Sequence, residues 1–75
     1  MGRPQEHEKR RSFAREAAAV MQREGVGVPM SRIADALGMK RPTLLYHFAT
    51  RTEIVEHALE EMMLEQAAFV MARVL

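Results

Sequence analysis

The sequence predicts an all-α fold: a small helix bundle with a helix-turn-helix, three helices forming the domain proper and a longer fourth starting after them. Three observations carry that prediction. Apolar residues recur at three- and four-residue spacing through most of the chain, the period of helices that bury one face. Gly25, Gly27, Gly38 and Pro42 interrupt that period where helices end and begin. Two of the helical segments are short, with a gap of only about three or four residues between them, as in a helix-turn-helix.

Length and composition bound what such a fold can do. Seventy-five residues allow one domain, and a chain this short hides only about 60–65% of its unfolded surface, so its core is modest. The absence of cysteine removes disulfides and thiolate metal sites and suits a reducing compartment, so a cytoplasmic location is expected. The amino terminus is polar and charged, unlike a signal peptide, and no apolar run approaches the ~18 residues of a membrane span, so no membrane partner is expected. His7 and Glu8 open an HExx sequence, but Arg11 stands where a zinc-protease pattern needs a second histidine. Neither a metal nor a cofactor is expected. With no thiol nucleophile, no Gly-rich phosphate loop and too little chain to enclose a substrate pocket, the sequence does not read as an enzyme.

Charge is unevenly spread. The net value is only +1, yet residues 1–51 hold ten Lys and Arg against five Asp and Glu, while residues 52–75 hold one against five. A basic half carrying a helix-turn-helix is what phosphate neutralisation requires, because much of the strength of nucleic-acid binding comes from released counterions. The plain alternative is a surface asymmetry with no partner.

Residues 1–7 show no apolar periodicity and read as a loose arm, in which Arg3 could reach DNA as homeodomain arms do or could simply fray. Residues 8–65 form the domain. Its first helix spans about Glu8 to Glu24, with Phe13, Ala17, Val20 and Met21 on one face. Gly25 and Gly27 end it, and Val26 and Val28 are expected to tuck beneath the domain.

The helix-turn-helix occupies about residues 29–48. Its first helix starts near Pro29 or Met30, places Ile33, Ala34 and Leu37 on one face and stops at Gly38. Ser31 and Arg32 lie in its first turn, where backbone N–H groups and the helix dipole favour a phosphate. Its second helix starts near Pro42. With Leu44 and Phe48 facing the core, the opposite side presents Lys40, Arg41, Thr43, Tyr46 and His47. Arginine can grip guanine bidentately, threonine offers a hydroxyl or a methyl to base edges, and lysine neutralises phosphate. Tyr46 suits either core packing or phosphate contact. A lone His47 beside a phenylalanine is otherwise a half-buried structural group.

Thr50-Arg51-Thr52-Glu53 is a capping box that fixes the start of the fourth helix, with the Thr50 hydroxyl accepting from the Glu53 N–H and the Glu53 carboxylate returning to Thr50. Ile54, Val55, Ala58, Leu59, Met62 and Met63 form its inner stripe, and Glu53, Glu56, Glu60 and Glu61 its outer side. Residues 66–75 are an apolar helical tail: from Ala67 to Leu75 only Arg73 is not apolar. No single helix face can hide that many apolar groups, so the tail is expected to lead into a missing domain or to contact another subunit.

The stretch IADALGMKRPTLLYHFATRTEIV resembles the core of the TetR-type bacterial repressors, with its Ile-Ala pair, Gly-apolar turn, Thr-Leu, aromatic-His-Phe end and a basic residue opening the next helix. The resemblance covers the chain from about Glu8 to the early sixties and implies a DNA-binding domain whose second short helix enters the major groove. It implies base or backbone contacts at the helix start by Arg41, Pro42 and Thr43, places Tyr46 and His47 near the sugar-phosphate backbone, and matches Arg51 to a lysine that grips phosphate. Two positions differ. Pro29 stands where the family usually has a hydroxyl residue, and Leu45 where many members carry a tyrosine, leaving Leu45 only apolar contact, such as with a thymine methyl. The family binds double-stranded DNA as a homodimer on palindromic operators, and its larger effector domain is absent from this sequence, so no small-molecule effector is expected on this chain alone. The reading is therefore a DNA-binding transcriptional repressor; the alternative is a helical protein-interaction module that uses the apolar tail.

Overall fold

The computed structural model describes residues 4–74, with side chains from His7 onward. Arg3 lies outside the described residues. The chain forms α1 (Pro4–Glu24), α2 (Met30–Ala36), α3 (Arg41–His47) and α4 (Arg51–Val74), and no strand occurs among the described residues. The fold is the all-α bundle expected, with α2 and α3 forming the helix-turn-helix.

α1 begins at Pro4 and not near Glu8. Apolar periodicity marks where a helix is covered, not where it starts. Proline's fixed φ suits a first helical residue, so the polar residues after it, once expected to be a loose arm, continue the helix outward. At its other end α1 stops at Gly25, whose φ of 98° suits a residue without Cβ. Gly27 has no such requirement.

The turn between α2 and α3 is set by backbone chemistry. Gly38 has a φ of 71°, its N–H donates to the Asp35 carbonyl at 3.0 Å, and the Met39 N–H donates to the Ala34 carbonyl at 2.9 Å. This pair of bonds is the Schellman arrangement, and Met39 packs on the core as the apolar residue that accompanies it. α3 then starts one residue before Pro42. The Lys40 carbonyl accepts from the N–H groups of Thr43 at 3.0 Å and Leu44 at 3.1 Å, and Pro42 sits in the first turn, where its missing N–H leaves nothing unpaired.

Phe48, Ile33, Leu44 and Ile54 are the largest side chains wholly removed from solvent; each contributes about 1.5–3 kcal/mol of burial. They come from α2, α3, α4 and the end of α3, and they meet on the alanine-rich face of α1, where Ala14, Ala17 and Ala18 are buried. Small residues there let the other helices approach closely.

Several expected placements change. Val28 is buried, but Val26 is 56% exposed. On α4 the inner line is Ile54, Ala58 and Glu61, with Val55 and Met62 packed beside it, while Leu59 and Met63 face outward. Spacing alone permits either stripe. The buried one includes Glu61 because Arg11 on α1 supplies a partner, Nε to Oε2 at 3.0 Å. At the start of α4 the Glu53 N–H donates to Thr50 Oγ1 at 3.1 Å, as the capping box requires, but the Glu53 carboxylate accepts from the Ala49 N–H at 3.2 Å and not from Thr50. Beyond Met62 the helix leaves the bundle: Phe69, Val70, Met71 and Val74 are all more than half exposed.

Candidate nucleic-acid interface

Leu44 and Phe48 anchor α3 from below, and that anchoring decides what the helix shows to solvent. Lys40, Arg41, Pro42 and Thr43 are all exposed. Leu45 is at the margin of exposure, and Tyr46, at 84%, projects almost entirely into solvent, so its ring has no part in the core. The first turn of α3 contains no acidic residue. Two cations at the positive end of a helix are unfavourable for the helix alone, by about 0.3–1 kcal/mol each when exposed, and a nearby anion removes that cost.

His47 is placed differently. It is half-buried, its ring lies 4.9 Å from that of Phe13 and 5.3 Å from that of Tyr46, and protonation is held below the usual imidazole range first by burial, then by the nearby charges of Lys9 and Arg10. Its backbone carbonyl accepts from Arg10 Nε at 3.1 Å and Nη2 at 2.7 Å. A cation on the last carbonyl of a helix is favourable to its dipole.

On α2, Ser31 is exposed, and Pro29 caps the helix without any side-chain hydrogen bond. Arg32 is drawn to protein carboxylates: Nη2 lies 2.9 Å from Glu24 Oε2, Nε donates to Glu24 Oε1 at 3.0 Å, and Nη1 lies 3.5 Å from Asp35. Its charge is thus matched within the protein, ahead of any phosphate.

Arg51, expected at a phosphate, makes two hydrogen bonds within the free chain. Its Nη1 donates to the Val28 carbonyl at 2.6 Å, and its Nη2 donates to the Val26 carbonyl. Both terminal nitrogens are committed to the turn between α1 and α2, because an α4 that starts against this turn brings two loop carbonyls within reach of its first side chain. Lys40, Arg41, Pro42, Thr43, Leu45 and Tyr46 thus share the open face of α3, Ser31 stands on α2, and Arg32, His47 and Arg51 are engaged by other parts of the protein, Arg32 at the surface.

Sequence reasoning missed Lys9 and Arg10, which bring positive charge to the carboxyl end of α3. The run Lys9-Arg10-Arg11 was the available signal, but nothing local indicates that its three members diverge, Arg10 toward α3 and Arg11 toward α4. Among the described residues no group of His, Cys, Asp and Glu could hold a metal ion, and no helix is long and apolar enough to cross a membrane.

A family model described as bacterial regulatory proteins, tetR family, matches residues 14–58, which run from the first helix through the helix-turn-helix into α4. No curated protein and no solved structure matches the chain.

Proposed function

Since the chain belongs to the tetR family of bacterial regulatory proteins, whose membership makes it a DNA-binding transcriptional regulator, we propose that it acts as a repressor that sets the outer face of α3 into the major groove of double-stranded DNA. The observation that carries this reading is the exposed run Lys40, Arg41, Pro42, Thr43 at the amino end of a helix held from behind by the buried Leu44 and Phe48. Arg41 reads a guanine edge, Thr43 reads a base edge or its sugar, and Lys40 neutralises phosphate. Leu45 offers an apolar contact, and Tyr46 and Ser31 reach the backbone with their hydroxyls. His47 borders the same strand beside Lys9, and Arg32 is available only by leaving Glu24.

A single α3 reads too few base pairs to select one site in a genome. The functional unit is a homodimer on a palindromic operator, with half-sites about one helical turn apart. Occupying that operator represses by excluding the polymerase. The test is a selection of bound sequences from random DNA, followed by titration over a range of salt. A palindrome and a log affinity that falls by about 0.9 per phosphate contacted against log salt are expected. Unenriched sequences, or an affinity indifferent to salt, defeat the proposal.

One observation favours a second reading, a protein-interaction module. Phe69, Val70, Met71 and Val74 are each more than half exposed toward the outer end of α4, and exposed apolar patches mark interaction surfaces. The two readings separate on whether α3 stays open or is covered when the chain is in its complex.

A further inference from the structure

Two arginines make contacts that no local rule accounts for. Arg51 gives one terminal nitrogen to the Val28 carbonyl and the other to the Val26 carbonyl, across 23 and 25 residues of chain. Arg10 gives Nε and Nη2 to the carbonyl of His47, 37 residues away. A guanidinium is suited to this because its donors lie in a rigid plane, so one side chain fixes a direction as well as a distance.

The places they hold are the two outer ends of the helix-turn-helix. Val28 immediately precedes Pro29, the cap of α2, with Val26 two residues before Val28, and His47 is the last residue of α3. Both ties lead to the first turn of α4. Arg51 is its first residue. Glu53, two residues on, lies 3.9 Å from Arg10 Nη2, and its other carboxylate oxygen accepts from the Ala49 N–H, closing the connection between α3 and α4. The buried apolar residues hold α2 and α3 against the bundle, but an apolar contact resists rotation of a short helix about its own axis poorly. A polar fork at each end resists it well.

We infer that Arg10 and Arg51 are positioning residues for DNA recognition, which tie the start of α2 and the end of α3 to the α1–α4 pair and so set the angle at which α3 meets a duplex. This rests on the DNA-binding reading above. It assigns to Arg51 no phosphate, and it makes the two arginines act on specificity without touching a base.

The test compares Arg51→Met, Arg51→Lys and Arg10→Met in the full chain, at a temperature where circular dichroism shows each variant fully folded. Each is titrated with a duplex selected by the unaltered chain and with a random duplex, from 50 to 200 mM salt as a rough range, and amide exchange is followed in the free protein. Arg51→Met and Arg10→Met are expected to lose about tenfold on the selected duplex, the equivalent of one base contact. Random-duplex affinity and salt slope stay unchanged, and exchange quickens in α2 for the first variant and at the end of α3 for the second. Arg51→Lys, which keeps the charge but not the fork, recovers only part of the loss. A fall in slope of about 0.9 with equal losses on both duplexes identifies Arg51 as a phosphate contact and overturns the inference, as does complete recovery by Arg51→Lys or an unchanged affinity for the selected duplex. If the unaltered chain binds no duplex, the functional reading fails with it, and the exchange data alone then report whether the ties are merely structural.

Discussion

The Arg11 guanidinium on α1 meets the carboxylate of Glu61 on α4 at 3.0 Å across fifty residues of chain, with Glu61 buried and Arg11 partly exposed. The hydrogen bond from Arg11 holds the Glu61 carboxyl below the usual carboxylate range, against the opposing effect of its burial. A carboxylate depressed by folding contributes stability that is present above its unfolded value, about 4.3, and is lost as pH falls through the folded value. Thermal unfolding between about pH 5 and pH 2 is therefore expected to show a loss of stability that Glu61→Gln largely removes. Arg11→Met, which leaves a buried carboxylate without its partner, is expected to destabilise at neutral pH more than Glu61→Met does; the reverse order would refute the pairing's role.

The depressed His47 gives a second pH effect of the same sign. A histidine whose folded value lies below its unfolded one, about 6.5, favours the folded state fully only above that value, and the contribution fades as pH drops through the folded one. Proton NMR of the free chain is expected to place the His47 titration below the usual imidazole range, and Lys9→Met is expected to move it upward, because Lys9 is one of the charges opposing protonation. A His47 titration unaffected by Lys9→Met removes that cause.

For the interface, Arg41→Ala is expected to cost about 1–3 kcal/mol on a selected duplex and to relax base preference at one position, whereas Lys40→Ala weakens selected and random duplexes alike and lowers the salt slope by about one phosphate. Fluorescence anisotropy on both duplexes reads the difference. Equal behaviour of the two variants would dissolve the division of roles between base reading and charge.

Gly38 can be tested through its backbone alone. An added Cβ meets nothing within 4 Å, so the cost of Gly38→Ala is conformational, about 1–2 kcal/mol for a left-handed residue, or a melting temperature lower by roughly 4–8 °C per kcal/mol in a domain of this size. Gly27→Ala, at a position without positive φ, is expected to be neutral or slightly stabilising. Similar losses for both would locate the strain elsewhere.

The outer end of α4 gives a prediction about association. Sedimentation at rising concentration is expected to show the chain self-associating, and Val70→Glu together with Met71→Glu is expected to return it to a monomer with the bundle's melting unchanged. A chain that stays monomeric throughout has no use for those side chains in self-association.

The parts of this fold legible in the sequence are those fixed by neighbours in the chain. Gly38 and Met39 complete a turn within six residues, Thr50 caps through Glu53, and Leu44 and Phe48 share a face because they are four apart. The exposed face of α3 follows from the last of these. What escaped is set by side chains that span many residues. Glu61 has the spacing of either face of α4 and is drawn inward only by Arg11. Arg51 sits where a basic residue suits a phosphate, and only the folded position of the Val26 and Val28 carbonyls gives its donors another destination. The early start of α1 was hidden because the sequence Gln5-Glu6-His7 supplies no apolar repeat that periodicity could detect.

α4 is seated in the bundle only over its first half, by Ile54, Ala58 and Glu61. Beyond Met62, as far as Val74, it extends past the core for about 18 Å at 1.5 Å per residue, with its large apolar side chains exposed. A rod gripped at one end magnifies angles: each degree of tilt at Ala58 sweeps the far tip through about 0.4 Å, given that same rise over sixteen residues. Whatever grips the tip accordingly gains leverage over the seat, and the first residue of the rod, Arg51, is already fastened to the carbonyls that introduce α2.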